Sequence, residues 1–317
     1  MKRLYIIGNG FDLYHGLPTS YLSFKDYLKN NNIISYDNFN DSFYYYNDIN
    51  DLWANFEENL SNLDTETVID RFSDYLPHFS IDFRDRDMGA FDIEIKNFVK
   101  SITTSLKLSF VDFIKDAVKK GKQNKILRSF CNESKFISFN YTNTLETLYS
   151  VNKKDILYIH GNIYDDNEDI ILGHGVEPCD IDFGNYISNI DNNGVFVENA
   201  WLDCESDFIN IAYNEGAATL EQYYLSSFKN TEKILVDNEK FFDSLFNIEE
   251  VYVLGHSLSD VDLPYFYRLV KILPRSTKWI VSYYTEEEKI ANFFKVVDLG
   301  IEEDNIKMIT INDLKSP

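Results

Sequence analysis

The stretch Leu4-Tyr5-Ile6-Ile7-Gly8-Asn9-Gly10-Phe11-Asp12, followed by Gly16-Leu17-Pro18-Thr19-Ser20, decides how the fold is read. A short apolar run predicts a buried strand. Two glycines one residue apart end it, and a helical pattern follows. Strand, glycine loop and helix in that order can turn backbone N–H groups and a helix N-terminus toward a phosphate. Leu13 stands where the full dinucleotide fingerprint wants a third glycine. The loop alone therefore fits a nucleotide site or a merely tight turn.

Further strand-like runs lie along the chain: Lys135–Phe139, Asp155–Ile159, Ile170–Leu172, Val251–Leu254, Trp279–Tyr283 and Ile306–Thr310. Helical patterns separate them. Thr19 or Ser20 can cap a helix carrying Phe24, Tyr27 and Leu28 on one face. Phe91, Ile95, Phe98, Ile102, Leu106, Phe110, Phe113 and Ala117 share one face of a long helix, with Gly121 where a C-cap belongs. Thr285 and Glu288 form a capping box for a helix over 286–298. Strands alternating with helices predict an α/β fold: a Rossmann-like, doubly wound, mostly parallel sheet. We read residues 1–317 as one such domain, with helical insertions at about 37–130 and 180–247.

Composition narrows the function classes. A formal net charge of −22 disfavours non-specific binding to nucleic acid or an anionic membrane, which needs surplus Lys and Arg. Cys131, Cys179 and Cys204 form no CxxC pair and no zinc pattern, so we expect reduced, incidental thiols and no metal. The apolar run behind Met1-Lys2-Arg3 is shorter than the ~7–15 residues of a signal-peptide core. No run approaches the ~20 apolar residues that span a bilayer. These features predict a soluble cytoplasmic protein.

Polar and glycine residues recur just after the strands: Gly8-Asn9-Gly10, Asn140-Tyr141, His160-Gly161, His174-Gly175 and Gly255-His256-Ser257. Ligands of open α/β sheets bind beyond the carboxyl ends of the strands, so these groups should converge. Four of the five histidines, His15, His160, His174 and His256, lie in or near such positions. Each residue also has a plainer role. A strand-end His can simply hold a neighbouring loop, and Asn140 can serve as a turn residue. Asp260 and Asp262 can cap a helix, with Asp260 the nearer of the two to the strand end. His160 and His174 lack the Cys or carboxylate partners that would make a metal site persuasive.

These segments together resemble the bacteriophage abortive infection AbiH family. The resemblance rests on Ile7-Gly8-Asn9-Gly10-Phe11-Asp12-Leu13 with His15–Ser20, and on Phe139-Asn140-Tyr141-Thr142 with Leu145-Glu146. Ile159-His160-Gly161-Asn162 and Leu172-Gly173-His174-Gly175 extend it. A wider likeness to Sir2-like proteins rests on Gly8, Gly10, Gly16-Leu17-Pro18, Asn140-Tyr141, His160-Gly161 and Gly255-His256-Ser257-Leu258-Ser259-Asp260. That likeness implies a fold that binds NAD+ as substrate and breaks its nicotinamide–ribose bond, with Asn140 and His160 as the catalytic pair. It implies nucleotide contacts from Gly8, Asn9, Gly10, Phe11, Asp12, Pro18, Thr19, Tyr141, Gly161, His174, Gly255, Ser257 and Asp260. Asp12 would bind a ribose hydroxyl or cap the turn. Three cysteines cannot build the four-cysteine zinc module of Sir2-like deacylases, so deacylation is not implied.

The resulting expectation is an abortive-infection NAD+ glycohydrolase that assembles into homo-oligomers and answers a phage-derived trigger or defence partner protein. A second expectation is a non-catalytic module that binds a nucleotide or phage signal. A third, a nuclease-type effector, is disfavoured by the charge and by the lack of clustered carboxylates.

Overall fold

A computed structural model describes residues 2–44, 48–78, 84–121, 127, 130, 134–165, 169–178 and 204–314. Cys131 and Cys179 lie outside them. Contacts divide the chain into two compact units. One comprises residues 1–24, 110–175 and 229–317, and the other residues 25–109 and 176–228. The second overlaps the segments expected as insertions, at about 37–130 and 180–247, but residues 110–130 and 229–247 belong to the first.

The first unit is built on a six-stranded sheet: β1 (Arg3–Ile7), β2 (Lys135–Ser138), β3 (Ile156–Tyr158), β4 (Glu250–Leu254), β5 (Lys278–Tyr283) and β6 (Ile306–Thr310). Their order is β3-β2-β1-β4-β5-β6, and every pair is parallel. This is the Rossmann-like order, in which the direction of winding reverses between β1 and β4. Side chains alternate between two cores, as a period of two requires. Leu4, Ile6, Ile137, Val251 and Val253 enter one, with Phe266 and Leu269 of α13 (Leu263–Ile272) and Val296 of α14 (Glu286–Asp298). Tyr5, Ile7, Phe136 and Leu254 enter the other, with Phe11 of α1 (Asn9–Tyr14) and Leu145 of α9 (Thr144–Tyr149). Helices thus cover both faces, and the central strands are apolar on both sides, whereas edge strand β6 exposes Lys307.

The expected strands at Leu4–Ile7, Lys135–Phe139, Asp155–Ile159, Val251–Leu254, Trp279–Tyr283 and Ile306–Thr310 are present to within a residue. Ile170–Leu172 is not a strand. The Ile171 N–H donates to the His160 carbonyl at 2.9 Å, beyond the end of β3, and no ladder continues from it. The long helix expected over residues 91–117 is two helices, α7 (Ala90–Ile102) and α8 (Thr104–Lys120). Thr103 leaves helical geometry at φ −117°, ψ −90°, and its hydroxyl bonds back to the Val99 carbonyl at 2.7 Å. A threonine hydroxyl competing for an i−4 carbonyl is a known source of helix distortion. The apolar face nevertheless survives the break, and all eight of its residues are buried. At α14 the Thr285 side chain accepts from the Glu288 N–H at 3.2 Å as read, while the Glu288 carboxylate accepts from the Tyr284 N–H at 2.8 Å, one residue before the N-cap position the capping box requires.

The second unit is helical. Its interior is aromatic, with Phe39 and Phe43 of the segment ending α3 (Ile33–Ser42) against Trp53 and Phe56. The Tyr223 hydroxyl, on the helix Cys204–Ser226, donates to the Leu60 carbonyl at 2.7 Å. A buried phenol needs such a partner.

Where winding reverses, the turns after β1 and β4 touch backbone to backbone. Gly8 N–H donates to the Leu254 carbonyl at 3.0 Å, and Gly10 N–H to the Gly255 carbonyl at 2.8 Å. Gly255 has φ +65°, and a Cβ there would lie 2.2 Å from the Phe11 nitrogen. Gly300 has φ +91° but open space around it. Gly300→Ala should therefore cost only backbone strain, about 1–2 kcal/mol, whereas Gly255→Ala should cost substantially more, read by denaturant unfolding. Equal losses would show that the close approach does not matter.

Candidate functional site

The site grows from the carboxyl ends of β1, β2, β3 and β4. Asp12, on the first turn after β1, is buried. Its two carboxylate oxygens accept from the hydroxyls of Thr142 (2.7 Å) and Thr144 (2.7 Å), which follow β2. Burial pushes the Asp12 carboxyl up to about 6, against the opposing effect of the Thr142 and Thr144 hydroxyls. Asp12 thus ties the β1 turn to the β2 turn.

Beside it, Asn140 is buried at the end of β2. Neither its Oδ1 nor its Nδ2 closes a hydrogen bond. An amide offers two donors and two acceptor sites, and leaving them unmet in a buried place is costly.

The second cluster centres on Asp262, in the turn before α13. Its Oδ1 faces His160 Nε2 at 3.5 Å and Lys229 Nζ at 3.7 Å, and its Oδ2 faces His256 Nε2 at 3.4 Å. The Ser259 hydroxyl donates to Oδ2 at 3.1 Å. Burial by itself would raise this carboxyl. The charge of Lys229 and the facing imidazoles of His160 and His256 outweigh burial and hold it well below the usual carboxylate range. Phe139 packs edge-on against both imidazoles, with centroids 5.4 Å from His160 and 4.4 Å from His256. The Tyr141 ring lies 5.9 Å from His160. The end of β2 therefore links the two clusters.

The remaining candidates divide by position. Phe11 is a core residue whose ring packs on His15. His15 is occupied by the Phe11 carbonyl (2.7 Å) and the Tyr149 hydroxyl (2.6 Å). Asn9 and Pro18 are exposed, and Asn9 Oδ1 accepts from the buried Thr19 hydroxyl at 2.6 Å. Gly161 turns with φ +79°. Tyr141 donates its hydroxyl to the Ile171 carbonyl at 2.8 Å. His174 is fully buried, and its carbonyl accepts from the Lys229 N–H at 2.8 Å. Ser257 and Asp260 are exposed. The acidic residue inside the cluster is Asp262, two positions beyond the one favoured from sequence.

Three donors of the glycine loop are already engaged. Gly8 and Gly10 N–H groups bond to the β4 turn, and Phe11 N–H bonds to the Gly8 carbonyl at 2.9 Å. The loop's glycines serve the close approach of two turns. Among the described residues, no group of three His, Cys, Asp or Glu side chains is arranged to hold a metal ion. No described helix is long and apolar enough to cross a membrane.

Sequence reasoning passed over Lys229 and read Asp262 only as a helix cap. Lys229 is one lysine after a long helix, with nothing local to mark it. Asp262 carried a usable signal, since it lies three residues after Ser259 and six after His256, close enough to share a turn with both.

Two outcomes test this construction. Folding moves the Asp12 carboxyl from an ordinary 3.8 to about 6, so the native state holds that proton more tightly than the unfolded chain. Its contribution is fully present below about pH 3.8 and lost as pH rises through about 6. Asp12→Asn lacks this linkage. The stability of wild type relative to Asp12→Asn should fall by up to roughly 3 kcal/mol across that window, and a pH-independent difference would contradict the raised value. Asp262→Leu removes the carboxylate that faces the buried Lys229 ammonium and should cost about 3–5 kcal/mol. Adding Lys229→Met should recover part of that loss, whereas strictly additive losses would mean the two groups are not coupled.

No curated protein and no solved structure matches the chain. Residues 4–283, from β1 to the last residue of β5, match the family described as bacteriophage abortive infection AbiH. That span contains every residue of both clusters. The chain belongs to the bacteriophage abortive infection AbiH family, and its role is in phage abortive infection.

Proposed function

We propose that the strand-end site hydrolyses NAD+ at its nicotinamide–ribose bond, so that the protein acts in abortive infection by depleting this cofactor. The observation that carries the reading is Asn140: a buried amide with both polar atoms unmet, at the carboxyl edge of the sheet beside the point where winding reverses. Ligands of such sheets bind at that edge. The Sir2-like resemblance of the same segments supports the choice of NAD+.

The chemistry asks little of the protein beyond placement. Nicotinamide leaves as a neutral ring, taking the electron pair of the C1′–N bond, so no acid is needed to protonate it. A water oxygen bonds to C1′ of the ribose and loses one proton. His160 is the base that takes this proton and passes it to solvent, and Asn140 holds the ribose hydroxyls or the water in line. The products are nicotinamide, ADP-ribose and a proton. With the N–H groups of Gly8, Gly10 and Phe11 engaged, phosphate recognition falls to side chains and to backbone beyond these three.

The test is nicotinamide release from NAD+ by the purified protein beside Asn140→Ala and His160→Ala. Release by wild type and a loss of about 100-fold or more in each folded variant would support both roles. Full activity in either variant would remove that residue's role. Nucleotide binding with no turnover, and unchanged NAD+ in phage-infected cells, would overturn the reading in favour of a binding module.

A further inference from the structure

We propose that Asp262 is a positioning residue that fixes the ring nitrogen on which His160 carries its proton, leaving Nδ1 as the nitrogen that acts as base. This rests on the proposed hydrolysis for what the base does, but the proton placement follows from the geometry alone.

The turn after β4 fixes His256 first. Leu258 has φ +54°, a left-handed conformation unusual for a branched side chain. That turn brings its N–H to His256 Nδ1 at 2.9 Å. A backbone N–H can only donate, so His256 Nδ1 must present its lone pair. Neutral His256 therefore keeps its proton on Nε2, the nitrogen facing Asp262 Oδ2. The Ser259 hydroxyl donates to the same oxygen. One carboxylate oxygen is thus held by two groups from the loop just before it in the chain.

The other oxygen is directed at His160. Oδ1 lies 3.5 Å from His160 Nε2, with Lys229 Nζ 3.7 Å away. An ionised carboxylate only accepts, so the imidazole nitrogen that faces it is the one bearing hydrogen. Neutral His160 is then the Nε2–H tautomer. The partner on one imidazole nitrogen decides what the other can do, as in any carboxylate–histidine pair. At 3.4 and 3.5 Å these are facing contacts rather than closed hydrogen bonds, and His160 Nε2 and Asp262 Oδ1 are both buried with no other hydrogen-bond partner. The groups facing Asp262 come from three parts of the chain: His160 after β3, Lys229 before the helix Thr231–Asp237, and His256 with Ser259 after β4. The exposed Asp260, nearer the strand end, has no part in this.

The test joins a spectrum to kinetics. In protein labelled with 15N-histidine, the neutral His160 ring, reached by raising the pH and assigned with His160→Gln, should carry its proton on Nε2. That N–H resonance should be shifted downfield and protected from exchange. Asp262→Asn should abolish the shift and protection. It should also lower the kcat of nicotinamide release about 10-fold or more while KM stays within about twofold. A wild-type His160 protonated on Nδ1 overturns the proposal, as does an Asp262→Asn protein with unchanged kcat. If Asp262→Asn fails to fold, the wild-type spectrum decides. If wild type releases no nicotinamide yet shows the protected Nε2–H, the hydrolase reading fails and the Asp262–His160 pairing stands.

Discussion

The rest of the first unit depends on one close contact, the crossing of the turns after β1 and β4. Two parallel strands can lie side by side only if the segments leaving them clear each other. Here they leave through Gly8-Asn9-Gly10 and Gly255-His256, and they touch at main-chain distance. A Cβ at Gly8 would sit 2.6 Å from the Gly255 carbonyl oxygen and from His256 Cα. The contact sets where α1 begins, and so where Asp12 points. It also sets where the loop carrying His256 runs. Both clusters of the candidate site are therefore placed by the same absence of side chains.

The clusters differ in electrostatics. Asp12 is a carboxylate surrounded by hydroxyls, with no cation among its named partners, and burial raises its affinity for a proton. Asp262 is a carboxylate beside a buried lysine and two imidazoles, and stays charged. One acid of each kind at the edge of one sheet gives the site a fixed negative centre and a group whose charge changes with pH. A buried charge set of this kind is poor evidence of stability, since apolar replacements often stabilise a fold equally well. It is better evidence of a site, because such groups are costly to keep without a use.

Much of the fold was legible in the chain. The strands at residues 4, 135, 156, 251, 279 and 306 could be read because a parallel sheet covered on both faces demands unbroken apolar runs. Ile170–Leu172 met the same description and is not a strand, since a run of three apolar residues says nothing about whether a ladder partner is within reach. The helix over residues 91–117 was legible as an apolar face but not in its break. Periodicity reports which side is buried, and a hydroxyl competing at Thr103 leaves that side unchanged.

The sequence by itself determined the element types, the apolar faces and the convergence of polar residues after the strands, because these follow from local chain geometry and the two periods of 3.6 and 2. It also carried enough pattern for the AbiH family to be recognised. Only the tertiary structure decided what each polar residue does there. Gly8 and Gly10 yield to a neighbouring turn, Asp12 meets Thr142 and Thr144, and Asp262 rather than Asp260 joins His160 and His256. Those pairings span from six to more than one hundred residues along the chain. A charge or hydrogen bond acts over a few ångströms, so its partner is set by which strands lie adjacent, and adjacency is a property of the folded sheet.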